Sequence, residues 1–232
     1  MTSIFINFMK RKKVSEDFIN KIKKNIPELP DEKKKRFLAR EQAIINSAIR
    51  LAKKQGIANI TISLIAKHAG IGKGTIYKHF ISKTEILMRI LLDYENKIIA
   101  SLQLNMGATD SDPFAPVQLY LKMRLADPRL DRLMQQLEDQ LKYDIQVAKS
   151  MAQFYALRRS NIASINEAIL LLIKKGLLQD APSSHYYFSY LALVQGAVDL
   201  SLAGNFQLDT DDRESFLNFI LEIGTTMGKT SS

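Results

Sequence analysis

The chain has 232 residues, room for one large domain or two small ones, and its 46% hydrophobic and 25% charged residues are an ordinary globular mixture. It contains no cysteine, which excludes disulfides and thiolate metal sites and fits a reducing, cytoplasmic compartment. The net charge of +9 is uneven: residues 1–90 hold 20 Lys and Arg against 7 Asp and Glu, residues 91–232 hold 13 against 17, as in a polyanion-binding module joined to a carrier domain.

Residues 1–30 form a basic leader. Phe18, Ile19, Ile22 and Ile26 lie at helical spacing, so a short helix ending at Pro27 and Pro30 is expected. The mildly apolar start precedes the basic cluster Lys10 to Lys13, the reverse of a secretory signal, which argues against export. Met9 offers a second translation start. No apolar run is long enough to cross a bilayer, and no membrane partner is expected.

Asp31 can cap a long helix running to Gln55, where Gly56 supplies the stop. Phe37, Ile44, Ile45, Ala48, Leu51 and Ala52 fall on one stripe of it. Thr61 is the N-cap of a short helix, Ile62 to Ala69. Gly70, Ile71 and Gly72 make a turn, and a third helix runs from Lys73 to about Phe80. Ser82 and Glu85 form a capping box that opens a long helix to about Leu102. After a loop at 105–112, helices are expected at about 113–125, 127–142, 144–175, 183–203 and 211–227. No strand alternation appears, so the fold class is all-α.

Two short helices joined by a glycine turn are the pattern of a helix-turn-helix. Ile65, Ala66 and Ala69 give the first an inner face, and Ile76 and Phe80 do so for the second. At 100° per residue, Gly74, Thr75 and Lys78 then point outward, with Tyr77 on the flank. From Gly56 to Lys83 there is no Asp or Glu, while Lys67, Lys73, Lys78 and Lys83 are present. A face meant for phosphates must exclude carboxylates; a face meant only for water need not.

The same residues resemble the TetR (tetracycline repressor) family: Thr61, Ile65-Ala66, Ala69-Gly70-Ile71-Gly72, Gly74-Thr75-Ile76-Tyr77, His79-Phe80, Lys83 and Leu87, in order and correctly spaced. The resemblance implies phosphate contacts by Tyr77, His79 and Lys83, with Thr61 at a helix N-terminus, and base-edge contacts by Lys73, Gly74, Thr75 and Lys78 in double-stranded DNA. Two positions depart from the family pattern. Ile60 stands where a second Thr is common, and Gly72 replaces the usual Ser cap of the recognition helix. The resemblance covers about a fifth of the chain, and it divides the sequence into a leader (1–30), a helix-turn-helix domain (31–83) and a helical effector-binding and dimerisation domain (84–232).

In the last part, the stripe Tyr190, Leu193, Gly196, Ala197 and Leu200 pairs with Phe216, Ile220, Ile223 and Met227. Such stripes suit either an ordinary intrachain core or a two-fold four-helix interface, and the resemblance implies the second, a homodimer. It also implies a ligand pocket among the central helices, for which Tyr120, Met123, Phe154, Tyr155 and Arg158 are candidates. No charged cluster is visible there, so a small hydrophobic or amphipathic effector is expected. The expected function is a transcriptional repressor that binds a palindromic operator and is released by its effector; the alternative is a DNA-bound protein that regulates a partner protein without one.

Other chemistries fail. Gly70 to Thr75 lacks the spacing of a Walker loop and follows a helix, not a strand. No Gly-x-Ser-x-Gly elbow exists, and His68, His79 and His185 are scattered, so no catalytic residue, cofactor or metal site is expected.

Overall fold

The computed structural model describes residues 32–106, 112–203 and 210–230. The expected leader helix, the Asp31 cap and most of the loop after residue 105 lie outside these. Two compact units, 1–43 and 44–232, divide within the first described helix. In the first, residues 32–43 are helical, with an ion pair of 3.1 Å between Lys35 and Glu32 one turn apart.

The described residues form nine α-helices and no β-strand. They are α1 (Glu32–Gln55), α2 (Ile62–His68), α3 (Lys73–Ile76), α4 (Lys83–Met106), α5 (Ala115–Leu125), α6 (Pro128–Leu141), α7 (Ala148–Lys174), α8 (Ser183–Leu202) and α9 (Thr210–Thr226). Two 3-10 turns, Ile57–Asn59 and Ile145–Val147, interrupt the sequence-based expectation. The second replaces the first turn of the helix expected from residue 144, because Asp144 caps it by accepting from the Gln146 amide. The third helix is also shorter than expected: α3 has four residues and continues to Phe80 as hydrogen-bonded turn.

Within the second unit two apolar cores divide the work. One unites Ile44, Ala48 and Ala52 of α1 with Ile65, Ile76 and Phe80 of the helix-turn-helix, Ile86 to Leu91 of α4, and Leu133, Leu137 and Leu141 of α6. The other joins Ile98, Leu121, Ile169, Tyr190, Val194 and Val198 from α4, α5, α7 and α8. The α4 helix belongs to both, and so links the helix-turn-helix to the bundle. Fully burying a branched side chain is worth about 1.5–3 kcal/mol, so these clusters dominate the stability of the unit.

Close packing at the end of the chain depends on small residues. A Cβ on Gly224 of α9 would lie 2.6 Å from a methyl of the fully buried Leu121 and 3.0 Å from one of Leu193. The tail then folds back on the α7–α8 loop, where the Gln179 amide donates to the Gly228 carbonyl at 2.8 Å.

Candidate nucleic-acid interface and internal cavity

The helix-turn-helix is held by local chemistry at every corner. Thr61 is extended and its hydroxyl accepts from the Leu64 amide at 3.2 Å, starting α2. At the other end the Ile71 amide donates to the Ala66 carbonyl and the Gly70 amide to that of Lys67, a Schellman closure. It requires the left-handed φ of 68° at Gly70, which a side chain would oppose. The capping box at α4 forms with one change. The Glu85 amide donates to Ser82 Oγ at 3.1 Å, but the Glu85 carboxylate accepts from the Ile81 amide, one residue earlier than usual.

With Ile76 fully buried and Phe80 3% exposed, α3 turns its other side to solvent. Lys73, Gly74 and Lys78 are exposed, Thr75 is half-buried beside them, and Tyr77 is 58% exposed. His79 is half-buried and Thr61 exposed. Gly72 starts α3 in extended conformation without a side-chain cap, and a Cβ on Gly72 or Gly74 would meet open space. Among the described residues, nothing shields these two positions of the first turn of α3 from a partner's backbone. Lys83 differs from the rest: its ammonium donates to the carbonyls of Ile57 (3.3 Å) and Ile60 (3.1 Å). Lys83 thus fastens the turn before Thr61 to the start of α4, a positioning role that spacing alone could not reveal.

Between the helices of the bundle lies a cavity of about 300 Å³. Tyr120 and Arg158 line it, as expected, but Met123, Phe154 and Tyr155 do not. Phe154 is fully buried in the first core, Tyr155 packs on that core, and Met123 packs on the second. Helical phase explains the difference: these residues face neighbouring helices rather than the gap among them.

The cavity wall also corrects the expectation of an uncharged site. Asp131, 1% exposed, accepts from Arg124 Nε (2.7 Å) and Nη2 (2.9 Å), the Tyr94 hydroxyl (2.9 Å) and Gln135 (3.0 Å). Arg124 Nη1 donates to the Tyr120 hydroxyl at 3.0 Å. Arg158 donates through Nη1 to both oxygens of Glu138 (2.8 and 2.7 Å) and through Nη2 to Glu95 at 3.3 Å. Asn161 supports Glu95 at 2.7 Å. Burial opposes the charge on Arg124, yet the hydrogen bonds and charge interactions with Asp131 and Tyr120 together outweigh it and raise the guanidinium pKa. Burial, then the nearby Asp131, push the Tyr94 hydroxyl far above its ordinary range, and burial pushes Tyr187 up to about 12. These groups come from five helices, which hid the cluster from a linear reading. One signal was available: Asp131 is in phase with the buried Met134, Leu137 and Leu141 of α6.

The stripes expected to meet a second copy are largely spent within the protomer. Tyr190 and Ala197 are buried in the second core, and Phe216, Ile220 and Met227 pack against it. Leu193 is half-buried, next to Gly224. Gly196, Leu200 and Ile223 remain exposed, together with Phe188 and Phe219, which were not anticipated. The inward set was chosen by apolar content, which a bundle core and an interface share.

Residues 44–90 match the family model of bacterial regulatory proteins, tetR family. Among curated relatives, TtgR of Pseudomonas putida is 24% identical over 130 residues, 56% of this chain and 62% of the relative. YerO of Bacillus subtilis is 45% identical over 49 residues, 21% of this chain and 17% of the relative. SrpR of Pseudomonas putida is 33% identical over 57 residues, 25% of this chain and 27% of the relative, so the chain spans less than two thirds of the length of each of these three. Solved structures agree in fold. A tetR-family regulatory protein from Rhodococcus RHA1 superposes with a TM-score of 0.63 at 18% identity, over 83% of this chain and 98% of that one. The ketosteroid transcriptional regulator KstR2 of Mycobacterium tuberculosis does so at 0.63 and 16%, over 83% and 96%. Residues 44–90 thus carry the helix-turn-helix of the tetR family of bacterial regulatory proteins, and the helical architecture around them is one that solved tetR-family regulators share.

Proposed function

We propose that this protein is a DNA-binding transcriptional repressor that grips a palindromic operator as a homodimer and lets go when a small molecule enters the bundle. The observation that carries the reading is the solvent-facing side of α3. It offers Lys73, Gly74, Thr75, Tyr77 and Lys78 on a segment with no carboxylate from Gly56 to Lys83. In this reading residues 31–83 form the DNA-binding domain behind the basic leader, and residues 84–232 serve effector binding and dimerisation. Lys73, Gly74, Thr75 and Lys78 approach base edges in the major groove, while Thr61, Tyr77 and His79 meet phosphates. Lys83 supports Thr61 and keeps one donor for a phosphate. One short helix reads too few bases for useful specificity, which favours two copies on two half-sites. The cavity favours control by an effector over an effector-free protein that regulates a partner, for which a filled core would be expected.

The test is a titration against an operator found by genome-wide mapping of bound DNA. Affinity should fall by about a thousandfold between 50 and 200 mM salt if several phosphates are neutralised in each protomer. Lys78→Ala should change the ranking of operator variants, whereas Tyr77→Phe should weaken all of them by a common factor. An affinity insensitive to salt would sink the reading, and a Lys78→Ala protein with unchanged ranking would remove Lys78 from the base edges.

A further inference from the structure

The charges around the cavity do not balance. Glu95, Asp131 and Glu138 line it with Arg124 and Arg158, three carboxylates against two guanidiniums. Among the described residues, no lysine or histidine lies in the wall. The excess is located: Arg124 is committed to Asp131 and Tyr120, so Glu95 and Glu138 share the single Arg158. Glu138 meets that arginine through one nitrogen only, which leaves lone pairs of its carboxylate available.

An anion would enter on worse terms. Every nitrogen of both guanidiniums already donates to a carboxylate or a hydroxyl within the wall. An incoming carboxylate that used a remaining N–H of either guanidinium would come to lie beside Asp131 or Glu95, each buried, whose negative charges oppose it. A cation displaces nothing. It meets the negative charge of Glu138 and Glu95 and the rings of Tyr94, Tyr120, Tyr187 and Phe188, whose faces attract positive charge. Ile98, Ile162 and Ile165 supply apolar wall for the rest of the molecule.

We infer that the cavity takes a small organic monocation, an amine or quaternary ammonium on an aromatic or branched apolar body. The inference rests on the cavity being an effector site, and it names the chemical class that site accepts. At about 300 Å³ the space is at the lower end for ligand pockets, which limits the cation to a compact one.

The experiment uses the full chain without DNA and three probes of nearly equal size: benzyltrimethylammonium, the neutral alcohol 2-methyl-1-phenyl-2-propanol, and the anion 3-phenylpropionate. Binding is read by calorimetry and by the shift in thermal midpoint. The cation should bind about tenfold or more tightly than the alcohol, and the anion weakest of the three. Glu138→Gln equalises the charges and should bring the cation down to the level of the alcohol. Gln195→Glu adds a carboxylate at an exposed position in the wall and should tighten the cation, so the proposal stays testable if Glu138→Gln fails to fold. Preference for the alcohol or the anion overturns the monocation but leaves the effector cavity standing. Silence from all three probes in the wild type and in Gln195→Glu overturns the cavity as a ligand site altogether.

Discussion

At Asp131 four hydrogen bonds converge on one carboxylate that has almost no contact with solvent. Removing it would strand Arg124, at a cost of about 3–5 kcal/mol. Tyr190 presents the opposite case, a hydroxyl buried with no hydrogen-bond partner among the described residues. Tyr190→Phe should therefore be neutral or stabilising by up to about 1 kcal/mol, measured by urea denaturation at pH 7. The same residue sets an alkaline limit. Burial pushes the Tyr190 hydroxyl up to about 12, as it does for Tyr187, whereas an unfolded tyrosine ionises near its ordinary value of about 10. Above pH 10 the unfolded chain gains by ionising while the folded one stays neutral. The stability each ring contributes is thus intact below pH 10 and is lost between 10 and 12, at up to about 1.4 kcal/mol per pH unit. Tyr190→Phe should flatten that slope, and an unchanged slope between pH 10 and 11 would show that the ring titrates alike in both states.

Among the elements, α6 has contacts at both ends of its role. Its N-cap Asp127 accepts from the Leu130 amide and pairs with Lys53 of α1, while Asp131 and Glu138 farther along face the cavity. A ligand that moves α6 therefore pulls on α1 through this pair as well as through Leu133 and Leu137 of the shared core. Both partners of the pair are partly exposed, so its own worth is at most about 1 kcal/mol. Lys53→Met should leave operator affinity without effector within about fivefold and reduce the factor by which effector lowers it, both read by fluorescence anisotropy. An effector response equal to that of the wild type would show that the core alone carries the signal. The elements were also where local sequence spoke most clearly. Thr61, Gly70 and Ser82 with Glu85 mark ends that the structure forms, the Glu85 carboxylate alone bonding one residue early, because capping is decided within a few residues. The early end of α3 was not marked, since no capping residue or proline stands between Thr75 and Phe80.

For the molecule as a whole, the proposed homodimer raises the question of which surface would meet a second copy. Phe188 and Leu200 on α8, and Phe219 and Ile223 on α9, keep 40–61% of their surface exposed in the protomer. Gly196 lies on the same side of α8 with open space above it. Gly196→Arg should consequently fold as well as the wild type but sediment as a monomer and lose tight operator binding, because the charge would be buried unpaired between protomers. Ile220 would be a poor choice for this purpose, since it packs on the protomer's own core. A folded, fully dimeric Gly196→Arg protein would move the interface elsewhere.

By itself the sequence determined the class of fold, the helix-turn-helix and its outward face, and with them the likeness to the tetR family. Each depends on short-range rules: helical period, caps, glycine turns, and the exclusion of carboxylates from Gly56 to Lys83. Only the tertiary structure decided what the apolar and charged residues of the bundle do. An inward stripe and an interface stripe look alike along one helix, so Tyr190 and Ala197 could be assigned only once α5 and α7 were packed against α8. Arg124 and Asp131, or Arg158, Glu95 and Glu138, are distant or on separate helices, and their pairing exists only where those helices converge. Burial and proximity, not spacing, turn these charges into a cavity wall with one carboxylate in excess.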